Sequence, residues 1–181
     1  MSFDGSVSLE ESSTYDGYAC IAGHPAARTL SAGVYHGCED ASAWDALTWA
    51  STIGGMVIHA AGVTLPHGME HPASGLKNIV HGKGLAALTP VITDASCMES
   101  PERYAEIARL LGGKKASECG DMLRRFLSEI GLLTTLSEQG ITAEDIPWMT
   151  ENCFKVSAAS IANHPMQADR DMVSRLYEQA L

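Results

Sequence analysis

Positive charge is scarce in this chain. Its 12 Lys and Arg stand against 22 Asp and Glu, a net charge of −10 over 181 residues. A surface this acidic repels phosphate backbones and anionic lipid, and no basic stripe offsets it, so nucleic-acid binding and membrane adhesion are disfavoured. Long apolar runs are missing too. None approaches the ~18 residues that a membrane-spanning helix needs. The opening MSFDGSVSLEE is polar and acidic and carries no signal-peptide character. Alternating β-branched runs, the mark of strands, are nearly absent. Paired cysteines are lacking as well: the five, at 20, 38, 97, 119 and 153, include no CxxC. That argues against a zinc ribbon, a thioredoxin-type site and a disulfide framework. Scattered single cysteines fit a reducing cytoplasm and read as small buried apolar residues.

What is present is globular. Apolar residues make up 45% of the chain and charged residues 19%, and ~180 residues bury about 70% of their unfolded surface without a staple. One ordinary domain is expected, with the Ser-, Asp- and Glu-rich residues 1–15 loosely held. Helical spacing runs from Ala41 to Ala61 through Trp44, Leu47, Ile53, Val57 and Ala60. Pro66 and Pro72 bracket a short segment, and Gly75, Gly82 and Gly84 suggest a loop-rich stretch before the apolar Leu85–Val91. Ser100-Pro101 starts a helix that Gly112-Gly113 ends. Met122, Leu123, Phe126, Leu127 and Ile130 give the next, closed near Gly131. Thr142 caps another, with Asp145 in capping-box register. Met172, Val173, Leu176, Tyr177 and Ala180 form the last. The expected fold is all-α, a bundle or orthogonal array of about seven to nine helices.

The chemistry-bearing residues cluster in one place. Of seven histidines, His67, His71 and His81 lie within fifteen residues. An HxxxH spacing sets two imidazoles on one helical face, near enough to share an ion. Glu70 precedes His71 and does not follow His67 directly, so this is not the HExxH motif of zinc proteases. Pro72 strains a helical reading by removing a backbone donor. On spacing alone, metal ligation and ordinary hydrogen-bonded histidines are equally good readings.

The longer stretch decides between them. Ala50-Ser-Thr-Ile-Gly-Gly-Met-Val-Ile-His-Ala-Ala-Gly-Val-Thr-Leu-Pro-His67-Gly-Met-Glu-His71-Pro-Ala-Ser-Gly, followed by Val80-His81-Gly82, resembles the signature of the iron-containing (group III) alcohol dehydrogenase family. Glu102-Arg-Tyr-Ala-Glu-Ile-Ala-Arg-Leu-Leu-Gly112, Ile141-Thr-Ala-Glu-Asp-Ile-Pro147, Asn163-His-Pro165 and the closing Asp169–Leu181 resemble later elements of the same family.

The resemblance implies the helical C-terminal, dehydroquinate synthase-like domain of that family. Residues 1–181 would form a single metal-binding domain, with the α/β cofactor domain and its Gly-rich loop missing. It implies His67 and His81 as metal ligands, with His71 beside the nicotinamide and substrate as the catalytic group. Asp4-Gly-Ser-Val-Ser8-Leu-Glu-Glu11 is similar to the family's upstream ligand helix. There Asp4 matches a third ligand and Ser8 stands where the family has a histidine. Fe2+ or Zn2+ would fit two imidazoles and a carboxylate, and NAD(P) would be used only with an α/β domain supplied. The implied activity is NAD(P)-dependent interconversion of a small alcohol and its aldehyde, in a homo-oligomer or with an α/β partner subunit. The alternative is a degenerate, non-enzymatic helical binding or assembly module, at which Ser8 hints. Beside these, Glu70 reads first as a solvated or helix-pairing carboxylate and second as a group that orients an imidazole, and His59 first as a packing or hydrogen-bonding histidine and second as a pocket residue. His24, His36 and His164 read as surface or core groups, and Trp44, Trp49 and Trp148 as core.

Overall fold

The computed structural model describes residues 33–37 and 39–181. Asp4, Ser8, Glu11, Cys20, His24, Cys38 and the expectation for residues 1–15 fall outside these described residues. Eight α-helices lie wholly among the described residues, joined by short 3₁₀ turns and loops, and no strand occurs among them.

The first helix, α1, runs Ala41–Ala61 as its spacing predicts. The Asp40 side chain caps it by accepting the Ser42 backbone N–H at 2.9 Å, and Gly62 ends it at φ 78°. α2 follows at Leu65–Lys77, with Pro66 in its first turn, where a missing N–H costs nothing. Helix α2 continues through Pro72, which is buried. Packing against the rest of the molecule offsets the lost donor. The chain turns at Asn78, whose left-handed φ of 52° lets its N–H reach the Ser74 carbonyl, and α3 begins at once as His81–Ser96. The loop-rich stretch expected around Gly75, Gly82 and Gly84 is therefore a correction. Gly75 is inside α2 and the other two sit in the first turn of α3. Those glycines loosen local propensity, but the helix pair they belong to buries a shared core that overrides it.

The second half follows the reading closely. α4 is Pro101–Leu110 and α5 is Cys119–Glu129, closed by Gly112 (φ 96°) and Gly131 (φ 65°) respectively. A 3₁₀ turn, Ala143–Asp145, carries the Thr142–Asp145 capping box and leads into α6, Ile146–Val156. A short α7, Ala158–Ala162, precedes α8, Arg170–Ala180, where the Asp169 carboxylate accepts the Met172 N–H at 2.8 Å.

Two apolar clusters hold these elements. The larger joins Leu65 and Met69 of α2, Leu88 and Ile92 of α3, Met149 of α6, and Val173, Leu176 and Tyr177 of α8. The smaller packs Tyr104, Ile107 and Ala108 of α4 against Cys119 and Leu123 of α5. The Tyr177 hydroxyl donates to the Met69 carbonyl at 2.5 Å, which ties α8 to the centre of α2. The Asn163 amide donates to the Ala61 and Val63 carbonyls at 3.0 and 3.3 Å, which fixes the break between α1 and α2.

The cysteine reading holds where it can be checked, since Cys97, Cys119 and Cys153 are free and buried. The tryptophan reading does not. Trp44, Trp49 and Trp148 are 54%, 64% and 46% exposed. α1 is apolar on nearly every side, so helical period alone cannot say which side is covered. Its buried residues are Ala43 and Gly54, and His59, expected to pack, is exposed.

Candidate metal centre

The turn at residues 78–80 is what assembles the site. α2 carries His67 and His71 one helical turn apart, and α3 starts with His81 directly after the turn. The three rings converge. Their centroids are 6.2 Å apart for His67–His71, 5.4 Å for His67–His81 and 5.8 Å for His71–His81. His67 is half-buried, whereas His71 and His81 are exposed, so the cluster opens outward from the α2–α3 pair.

Three features suit a cation at this place. His67 Nδ1 is buried and has no hydrogen-bond partner among the described residues. Buried polar atoms are rarely left so. Burial first, then the neighbouring His81 and His71, push the His67 pKa down to about 4. The ring is thus held neutral, which is the form that binds metal. Finally, nitrogen or oxygen atoms of Glu70, His71 and His81 all lie within 4.8 Å of one another. The donor chemistry, imidazole with carboxylate, fits iron or zinc.

Glu70 is where the sequence reading needs correcting. It is not solvated but fully buried, at 0% exposure. One carboxylate oxygen, Oε1, accepts the Ser74 hydroxyl, and the other, Oε2, pairs with His81 Nδ1. Gly84, one turn into α3, leaves room for it. A Cβ there would stand 2.8 Å from both Cγ and Oε1 of Glu70. Ser74 and Gly84 carry no sequence signal of their own, because each matters only once α2 and α3 lie side by side.

Two of the other described histidines have surroundings of their own. His36 Nε2 meets the Glu129 carbonyl at 3.1 Å. His164 is buried, neither ring nitrogen has a partner among the described residues, and burial pushes its pKa down to about 4. It lines a cavity of about 30 Å³ with Thr64, Thr89, Tyr104 and Cys119. A broad groove of about 1050 Å³ beside α4, lined by Arg103, Glu106 and Arg109, contains none of the imidazoles.

A helical domain that turns one helix pair around a trio of imidazoles offers a set of donors that suits a metal ion. Comparison with known proteins gives the family. Residues 7–181 match the sequence model of the Fe-containing alcohol dehydrogenase family, C-terminal, and the chain belongs to that family. Among curated relatives, sulfoacetaldehyde reductase of Bilophila wadsworthia is 29% identical over 162 residues, covering 80% of this chain and 40% of the relative. Long-chain-alcohol dehydrogenase 1 of Geobacillus thermodenitrificans is 28% identical over 182 residues, covering 96% and 46%. The chain therefore spans less than half the length of these relatives. In structure it resembles an archaeal halo-thermophilic Red Sea brine pool alcohol dehydrogenase, with a TM-score of 0.77 and 26% identity over 96% of this chain and 50% of that one. The helical architecture is thus that of the family's C-terminal domain. Among the described residues no single helix is long and apolar enough to cross a membrane.

Proposed function

We propose that this chain supplies the metal-holding half of an iron-type, NAD(P)-dependent alcohol dehydrogenase that interconverts a small alcohol and its aldehyde. The observation that carries the reading is the convergence of His67, His71 and His81 at the α2–α3 turn. His67 and His81, together with Asp4, would hold ferrous iron; zinc suits the same donors. When bound, the ion supplies Lewis acidity to the alcohol oxygen.

The chain's own residues do the rest. His67 stays neutral at working pH because burial and two neighbouring imidazoles disfavour its cation. It therefore gives up no proton on binding. His71 lies on the exposed side of the cluster, where a substrate and nicotinamide could reach it. There it acts as the proton-relay group. The hydride acceptor must be positioned by an α/β domain, since none of the described elements is a strand or a Gly-rich phosphate loop. The names of the relatives, a sulfoacetaldehyde reductase and a long-chain-alcohol dehydrogenase, support an alcohol–aldehyde couple. Buried free thiols support a reducing, cytoplasmic setting. The exposed Trp44, Trp49, Met56 and Ile58 of α1 support self-association or contact with the α/β partner.

Elemental analysis of the purified chain, alone and as His67→Ala, tests the proposal. About one iron or zinc per chain is expected in the unaltered protein and its loss in the variant. A chain that stays metal-free after reconstitution with either ion would remove the basis for the enzymatic reading.

A further inference from the structure

We infer that Glu70 is a positioning residue for His81. It holds the imidazole as its Nδ1–H tautomer and so presents Nε2, the nitrogen left over, to the ion. The inference deepens the metal site proposed above and rests on it for its functional meaning.

Four observations on two helices, α2 and α3, point the same way. Glu70 Oε2 pairs with His81 Nδ1 across the α2–α3 turn. The carboxylate is completely buried while the His81 side chain is 50% exposed, so the contact anchors one edge of the ring and leaves the rest open. Ser74, one turn along α2, donates to the second oxygen, Oε1, so both oxygens have partners and the carboxylate is fixed. Gly84 supplies the space, since a Cβ there would stand 2.8 Å from the Glu70 side chain.

A buried carboxylate is costly unless it is satisfied. Here the cost is met by a hydroxyl and an imidazole N–H, and the product is an oriented ring. A carboxylate that accepts from one ring nitrogen fixes the tautomer and makes the other nitrogen a better donor to a metal. The alternative, Glu70 as a ligand in its own right, is favoured by its closeness to His71 and His81. It is disfavoured because both its oxygens are already engaged. His67 needs no comparable partner, because the surrounding core keeps it neutral.

The test has a metal-free arm and a metal arm, both on the full chain. Long-range nitrogen-15 NMR at about pH 8, where ordinary imidazoles are neutral, reads the His81 tautomer directly. The Nδ1–H form is expected in the unaltered protein, and a shift towards the Nε2–H form in Glu70→Gln and Gly84→Ala. Competition of Zn2+ with a chromophoric chelator is then expected to show binding about 10–100-fold weaker in both variants, with helicity by circular dichroism unchanged. An Nε2–H tautomer in the unaltered protein overturns the inference, and so does a tautomer insensitive to Glu70→Gln. Loss of Zn2+ in Glu70→Gln as complete as in His81→Ala would make Glu70 a ligand, and also overturns it. If no variant and no unaltered protein binds Zn2+ while the tautomer behaves as expected, the positioning role stands and the proposed enzymatic function falls.

Discussion

His164 shows what a single buried residue does to the pH response of this protein. Its folded pKa is pushed down to about 4 from an ordinary 6.5 by burial. Cys119, which lines the same cavity, is itself pushed up to about 12 by burial and is neutral there. A histidine depressed in this way binds more protons when unfolded than when folded. Its contribution to stability is therefore complete above about pH 6.5 and is lost as pH falls towards 4. The loss is of the order of 3 kcal/mol, at ~1.4 kcal/mol for each tenfold change in proton affinity. Half-buried His67 adds to it in the same direction. Chemical denaturation across that window should show His164→Leu falling less steeply than the unaltered protein; parallel curves would show that His164 is not held neutral. Among residues, the imidazole trio is legible in the sequence because HxxxH spacing and a nearby His-Gly are local patterns. Glu70 is legible only in part, as a carboxylate beside imidazoles that it can orient; its burial is not, because that depends on Gly84 and on the packing of two helices.

At the scale of the element, the chain-stopping chemistry is the most readable part. Ser100-Pro101, Gly112 and Gly131 mark helix ends in the sequence, and the structure begins or ends helices there. Such signals act within a few residues, so they survive without tertiary context. The capping box at Thr142 is one of them. Asp145 Oδ2 accepts the Thr142 N–H at 2.9 Å, and Asp145 also pairs with Lys77 of α2 at 3.1 Å. Thr142→Ala should cost about 1 kcal/mol in equilibrium unfolding, without altering metal content; no measurable change would mean that the turn is held by other contacts. The α2–α3 region reads as loop for the opposite reason. Pro72, Gly75, Gly82 and Gly84 each lower helix propensity, and only burial of Leu65, Met69, Ala73 and Leu88 in a shared core reverses the balance.

At the scale of the molecule, the helix that carries His67 and His71 is hydrogen-bonded to a residue 108 positions further along the chain. α8 packs on α6 and α3, with Val173, Leu176 and Tyr177 in the larger core, and the buried Tyr177 hydroxyl donates to the Met69 carbonyl of α2, between His67 and His71. Burial also raises the Tyr177 pKa, so the phenol remains a donor at any working pH. Tyr177→Phe should lower stability by about 1 kcal/mol and slow nothing in metal uptake; a large loss of metal would mean that this bond sets the spacing of α2 against α3. The all-α architecture is legible from the want of strand patterns and the run of capped amphipathic segments. Which face of α1 is covered is not, because a helix apolar on nearly every side carries little directional signal.

The positions of the three tryptophans bear on how unfolding can be observed. Every indole is on the surface, at Trp44 and Trp49 of α1 and Trp148 at the start of α6, whereas the larger core holds Tyr177 and aliphatic side chains but none of the indoles. Tryptophan emission should be red-shifted and readily quenched by iodide in the folded chain. Heating should alter it little while far-ultraviolet dichroism collapses. Fluorescence in this protein is a spectator of melting and a reporter of whatever comes to cover α1.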